Sequence, residues 1–220
     1  MGRVITIGRQ FGSGGHEVGL RLAKRLDIPF YDKELLSLTA ENSRFAKSYL
    51  AKMDEQKPSF LNLGSAGLIS GAGLATHTEN AMNQFYHLSP NDQIFLATSK
   101  VMHALAEKGP CVIVGRCADY ILRDIDPVNF FIYADMKDRI ARKMALDDHS
   151  GMTEQEMEKL IRQTDKTRGK YYEYYSHEPW GVAKNYHLCI DTSVVGVDGA
   201  VEIIMKFIEE FRKKNIMPDK

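Results

Sequence analysis

The sequence predicts a doubly wound α/β fold, a five-stranded parallel sheet with helices on both faces. Two observations carry that prediction. Short apolar runs alternate with helical patterns along the chain, and several of those runs are continuous rather than alternating, as in strands covered on both sides. A glycine-rich turn directly after the first run adds a third, because open α/β sheets bind ligands at such a turn.

The strand candidates are Val4–Gly8, Pro29–Tyr31, Cys111–Gly115, Val128–Tyr133 and His187–Asp191. After the first comes a helix with Val18, Leu20, Leu22, Ala23 and Leu26 on its apolar stripe. Ser89-Pro90 opens a second helix, which Gly109-Pro110 ends. Asp135 caps a third, in which apolar positions mix with Arg139, Arg142 and Lys143. The last, Gly199 to Lys214, has Val201, Ile204, Met205, Ile208 and Phe211 at helical spacing and a basic final turn. Residues 33–88 leave this rhythm. A helix from Glu34 to about Ala51 precedes the small-residue tract 63–73, which reads as a segment moving over a ligand or as a loop.

The 220 residues suit one domain, 1–220, with 33–88 as an insertion lobe. Lys and Arg number 29, as do Asp and Glu, so no general basic surface points to a nucleic acid polymer or an acidic membrane. Cys111, Cys117 and Cys189 lie in or beside apolar runs without zinc-ligand spacing and read as buried, reduced thiols. No metal-ligand cluster stands out among the histidines. Without a leader-like N-terminus or a long apolar run, the expected location is the cytoplasm.

The turn reads Arg9-Gln10-Phe11-Gly12-Ser13-Gly14-Gly15-His16-Glu17. Gly12, Gly14 and Gly15 take positive φ without penalty, so successive N–H groups can converge on one anion, helped by the helix N-terminus. The dinucleotide fingerprint fits poorly. Asp32 stands twenty positions after Gly12, as an acidic partner would, but Glu17 occupies the third glycine position. The mononucleotide motif G-x-x-x-x-G-K-[ST] finds Arg9 at its first glycine, Gly15 at its lysine and His16 at its hydroxyl. The loop length suits this second motif better. Ser13 is not in a nucleophile elbow, because Phe11 stands at the first glycine of G-x-S-x-G.

Together with Pro29-Phe30-Tyr31-Asp32-Lys33-Glu34-Leu35, Val112-Ile113-Val114-Gly115-Arg116, Asp165-Lys166-Thr167-Arg168 and Cys189-Ile190-Asp191-Thr192-Ser193, the loop resembles the cytidylate-kinase-like branch of the nucleoside-monophosphate kinases. The segments match in order over nearly the whole chain. The resemblance implies a P-loop kinase fold with a helical lid, here residues 147–175, and transfer of a phosphoryl group from ATP to CMP or dCMP with Mg2+. The metal's ligands are unassigned, and the partner is a small nucleotide.

It also implies site residues. Gly12, Ser13, Gly14, Gly15, His16 and Glu17 would cradle the ATP phosphates, with Arg139 and Arg142 on the helix leading to the lid. Arg116 would hold the acceptor phosphate, with Asp32, Asp119, Asp165 and Arg168 on the acceptor side; Asp119 is a loose match, since the family's aspartate follows the arginine directly. Phosphoryl transfer needs cations and oriented donors, so Arg9, His16, Arg116 and Arg168 are the catalytic candidates, with Arg9 or His16 replacing the lysine. Each has a plainer reading. Arg9 can pair with Asp32 or Glu34, His16 can stay neutral, and the 162–168 charge run can be a solvated face. Tyr171–Tyr175 and Trp180 read as packing of a helix on the sheet. Competing functions are a non-catalytic nucleotide-binding module, a kinase for another small acceptor and, more weakly, a dinucleotide-dependent oxidoreductase.

Overall fold

A computed structural model describes residues 3–32, 89–146 and 151–216. The helix Glu34–Ala51 and the 63–73 tract expected from the sequence lie outside them. The chain divides into two compact units: residues 1–32 with 103–220, and residues 33–102. Of the second, the described part is the start of one helix. The first holds the sheet and every site residue discussed below.

That sheet has five parallel strands: β1 (Ile5–Arg9), β2 (Phe30–Tyr31), β3 (Val112–Val114), β4 (Val128–Tyr133) and β5 (Leu188–Asp191), in the order β2-β3-β1-β4-β5. Helices α1 (Gly15–Leu26), α2 (Pro90–Lys108), α3 (Ala118–Ile121), α4 (Met136–Met144), α5 (Glu154–Ser176) and α6 (Thr192–Ile216), with short 3-10 turns at Arg123–Ile125 and Ala183–Asn185, complete the described elements. The predicted fold class is correct.

Strand alternation decides the two faces. Ile5 and Ile7 point to one side, into a core with Val18 and Leu22 of α1, Val112, Val114, Phe130, Ile132 and Ile190 of the sheet, and Val201 and Ile204 of α6. On the other side Phe131 meets Trp180 and Tyr186, ring centroids 5.3 and 4.9 Å apart, and Trp180 sits beside Gly169 of α5. The expected packing role of Trp180 is therefore observed. Burial of apolar surface on both faces, about 25 cal/mol per Å2, is what lets the strands be continuously apolar.

Most element ends shift slightly from the sequence reading: β2, β3 and β5 start one residue later, and β3 ends one residue earlier. The first strand ends at Arg9 rather than Gly8, because β4 runs long enough for Ile132 to pair with Arg9. The helix after it starts at Gly15, directly behind Gly14 in left-handed backbone (φ 80°). The last helical stretch starts at Thr192, with a break at Gly196 (φ 69°, ψ 178°) ahead of the predicted start at Gly199. Among the described residues no helix is long and apolar enough to cross a membrane.

Candidate phosphate site at the C-terminal edge of the sheet

The loop between β1 and α1 is held from beneath. Ser13 is fully buried; its hydroxyl donates to Gln10 O at 2.9 Å, and its own carbonyl accepts from Thr192 Oγ1 at 2.6 Å. Gln10 Oε1 accepts from Ala134 N at 3.2 Å. Two glycines are indispensable to its shape. Gly12 has φ 81° and a Cβ there would lie 2.9 Å from Arg139 O, while Gly14 supplies the left-handed turn into α1.

The loop's carbonyls are all taken. Arg168 Nη1 donates to Arg9 O (3.0 Å), Arg139 Nε to Phe11 O (2.8 Å) and Arg142 Nη1 to Gly12 O (2.6 Å). Phe11 N donates to Asp165 Oδ1 at 2.7 Å, and the other carboxylate oxygen pairs with Arg139. Lys143 and Arg168 approach the Phe11 ring, 4.3 and 5.4 Å from its centroid. The loop's N–H groups are the reverse case. Among the described residues those of Gly12, Gly14, His16 and Glu17 donate to no protein acceptor, and Gly15 N reaches only Ser13 Oγ at 3.4 Å. Free donors ahead of a helix N-terminus, with the acceptors withdrawn, are the arrangement that binds an anion.

On the β2 and β3 side stands a cluster of cations. Arg9 Nη2 lies 3.4 Å from Asp32 Oδ1, and His16 Nε2 lies 3.4 Å from Asp32 Oδ2, so one carboxylate serves both candidate lysine substitutes. Burial lowers the Arg9 pKa, and Arg116 lowers it further against the opposing pull of Asp32. Arg168 is lowered to about 10, first by burial and then by the charge of Arg9. Arg116 itself makes no hydrogen bond or ion pair among the described residues. Gly115, Arg116 and Cys117 are all left-handed (φ 77°, 58° and 58°), and two of the three carry the Cβ penalty, about 1 kcal/mol or more each. Among the described residues, Arg116 is thus a cation without an ion pair, held on left-handed backbone, with its charge felt by Arg9 and Arg168.

Other predicted site residues are placed differently. The Glu17 side chain pairs with Arg21 at 2.7 Å on the exposed face of α1, so its backbone N–H is what it offers the loop. Asp119 accepts from the Tyr172 phenol at 2.8 Å, and burial raises its pKa against that hydrogen bond. Arg139, Arg142, Asp165 and Arg168 are brought together, but on the loop's own peptide groups. Sequence reasoning did not find Phe11 as the grip point, Thr192 beneath the loop, or Tyr172. The first two stand in the quoted motifs, and Tyr172 follows Arg168 by one helical turn, which was its available signal.

ATP fits the free N–H groups. For Mg2+, which binds through one or two carboxylates together with phosphate oxygens, Asp32 faces Arg9 and His16 and Asp165 is taken by Phe11 N and Arg139, while position 16 brings an imidazole where a hydroxyl would serve; no group of three or more His, Cys, Asp or Glu gathers among the described residues. The ion therefore fits only as one held mainly by the nucleotide.

The parallel sheet in this order, with a glycine loop feeding its first helix, defines a P-loop kinase fold of the kind found in shikimate and nucleoside-monophosphate kinases. The chain belongs to the cytidylate kinase-like family, whose model matches residues 4–194. It is similar in structure to an uncharacterized protein from Eubacterium ventriosum (28% identity, TM-score 0.64, covering 94% of this chain and 98% of that one). It also resembles shikimate kinase from Bacteroides thetaiotaomicron (12% identity, TM-score 0.52, 94% and 98% covered) and TT1252 from Thermus thermophilus (14%, 0.50, 93% and 97%). The last two speak for the fold alone. A comparison with curated proteins finds no match.

Proposed function

We propose that this chain transfers the γ-phosphoryl group of ATP to a nucleoside monophosphate, CMP or dCMP. One observation carries the reading: among the described residues the N–H groups of Gly12, Gly14, His16 and Glu17 have no protein acceptor, and Arg116, without an ion pair, is electrostatically coupled to Arg9 and Arg168, which border the same loop. The first set suits the donor phosphates, and the second suits the α-phosphate of an acceptor. Magnesium, when bound with the nucleotide, offsets charge on the phosphates. The chain's own part is positioning and electrostatics. The loop N–H groups orient the donor, Arg116 and Arg168 draw the acceptor toward it, and Arg9 or His16 supplies the charge that lysine brings elsewhere. Asp32 lies 3.4 Å from each of these side chains and keeps both at the site.

A second reading is favoured by one specific feature, the absence of both lysine and hydroxyl at positions 15 and 16. On that reading the chain binds a nucleotide and transfers nothing. The two separate in one assay: pure protein with Mg-ATP and a panel of nucleoside monophosphates, with shikimate as a non-nucleotide acceptor, followed by ADP release. Fast ADP release that depends on CMP or dCMP supports the kinase. Thermal stabilisation by ATP without acceptor-dependent ADP release supports the binding module.

A further inference from the structure

We infer that Arg9 and Gly15 are an exchanged pair: the cation that a P-loop carries at position 15 is carried here at position 9, and each of the two positions excludes a side chain at the other. The inference deepens the reading of the loop as the donor-phosphate site and rests on that reading for its phosphate half. Its steric half rests on the packing alone.

Strand alternation sets the geometry. Ile5, Ile7 and Arg9 share the face of β1 that α1 covers, and α1 crosses that face with Gly15 and Gly19, one turn apart. A Cβ at Gly19 would stand 3.3 Å from Ile7 Cδ1 and 2.8 Å from Val114 Cγ2. A Cβ at Gly15 would stand 2.5 Å from Arg9 Cβ and 3.0 Å from its Cγ. The stem of Arg9 therefore fills the space where a side chain at 15 would begin. Position 15 lacks positive φ, so nothing in its own backbone calls for glycine. The reason is Arg9.

A second glycine clears the other end. A Cβ at Gly115 would fall 1.7 Å from Arg9 Nη1, so the guanidinium lies across the backbone of Gly115 on its way to Asp32. Arg9 thus runs between two glycines from root to head. Asp32 receives it on one oxygen and His16, in the first turn of α1, on the other. The head of Arg9 is consequently one carboxylate away from the helix N-terminus that faces the phosphates. His16 is half-exposed and crossed by no such clearance. Arg9 is the built-in cation, and His16 its neighbour.

The test is a set of variants read by melting temperature and by equilibrium binding of ATP. Gly15→Ala should lower the melting temperature of the parent chain by several degrees, as overpacking of a filled site does. In an Arg9→Gly background the same change should cost little, since both atoms at 3.0 Å or less belong to Arg9 and the next, Ile132 Cβ, is 3.2 Å away. Arg9→Gly should weaken ATP binding roughly tenfold to hundredfold, the span of one charge-assisted hydrogen bond. Arg9→Gly with Gly15→Lys should recover most of that loss, and Arg9→Lys should keep most of the parent chain's affinity for ATP. Equal cost of Gly15→Ala in both backgrounds overturns the steric half. ATP binding by the double variant no tighter than by Arg9→Gly overturns the phosphate half. If the unaltered chain binds no ATP, the proposed function falls together with the phosphate half, while the thermal comparison still decides the steric one.

Discussion

The backbone N–H of Phe11 donates to Asp165 Oδ1 at 2.7 Å, joining the loop after β1 to the middle of α5 across most of the chain. The other oxygen of Asp165 meets Arg139, whose side chain is only 6% exposed and which also holds Phe11 O. A buried pair that loses one partner leaves an uncompensated charge, at a cost of about 3 kcal/mol. Asp165→Asn, which keeps the shape and removes the charge, should therefore lower the melting temperature by roughly 6–12 °C. A change of a degree or less would mean that solvent already screens the pair.

Gly12 tests the loop's shape. Alanine there meets both a left-handed backbone and Arg139 O at 2.9 Å, whereas Gly151, with φ 102°, has nothing within 4 Å of an added Cβ. Both variants carry the backbone penalty, about 1–2 kcal/mol. Only Gly12→Ala should also push α4 off the loop and weaken ATP binding. Calorimetric titration of the two proteins separates the effects.

Arg116 should show stability and function opposed. Its φ of 58° is strained for arginine, and its charge opposes those of Arg9 and Arg168, adding to the lowering of their pKa that burial begins. Arg116→Gly relieves both, so chemical denaturation should show a gain of about 1 kcal/mol. Under the proposed function the KM for the nucleoside monophosphate should rise at least tenfold, with the KM for ATP little changed.

Asp119 gives a pH dependence whose sign follows from its environment. Burial raises its pKa above the ordinary value of about 4, against the hydrogen bond from Tyr172. In the interval between those two values the folded chain holds a proton that the unfolded chain has released. Stability therefore falls as pH rises through that interval. Asp119→Asn should flatten this slope. Tyr172→Phe removes a donor that favours the carboxylate, so the decline should extend to higher pH. Denaturant midpoints measured from about pH 4 to 7 on the three proteins check it.

The strands were legible because parallel strands covered on both faces are mostly apolar: Val112–Val114 is so throughout, and Val128–Tyr133 at every position but Asn129. The glycine loop was legible because few other sequences turn so tightly into a helix. The face on which Arg9 lies was not. Glycine at position 8 reads as the start of a turn, whereas the length of β4 carries β1 one residue further, and only that residue's register reveals what Gly15 accommodates. The docking of α4 and α5 on the loop was also hidden. The D-x-x-R spacing puts Asp165 and Arg168 on one helical face, but that they grip peptide groups of Phe11 and Arg9 is a long-range outcome no local pattern encodes.

Whether the exchanged loop activates a phosphoryl group is decided most directly by isotope transfer. ATP labelled in its γ-phosphate is mixed with the pure protein, magnesium and CMP, and the nucleotides are separated over time. Label appearing in CDP, at a rate that falls sharply in Arg9→Gly and recovers in the variant combining it with Gly15→Lys, is the predicted result. Label that stays in ATP or appears only as inorganic phosphate, with CMP and every other nucleoside monophosphate, would contradict it.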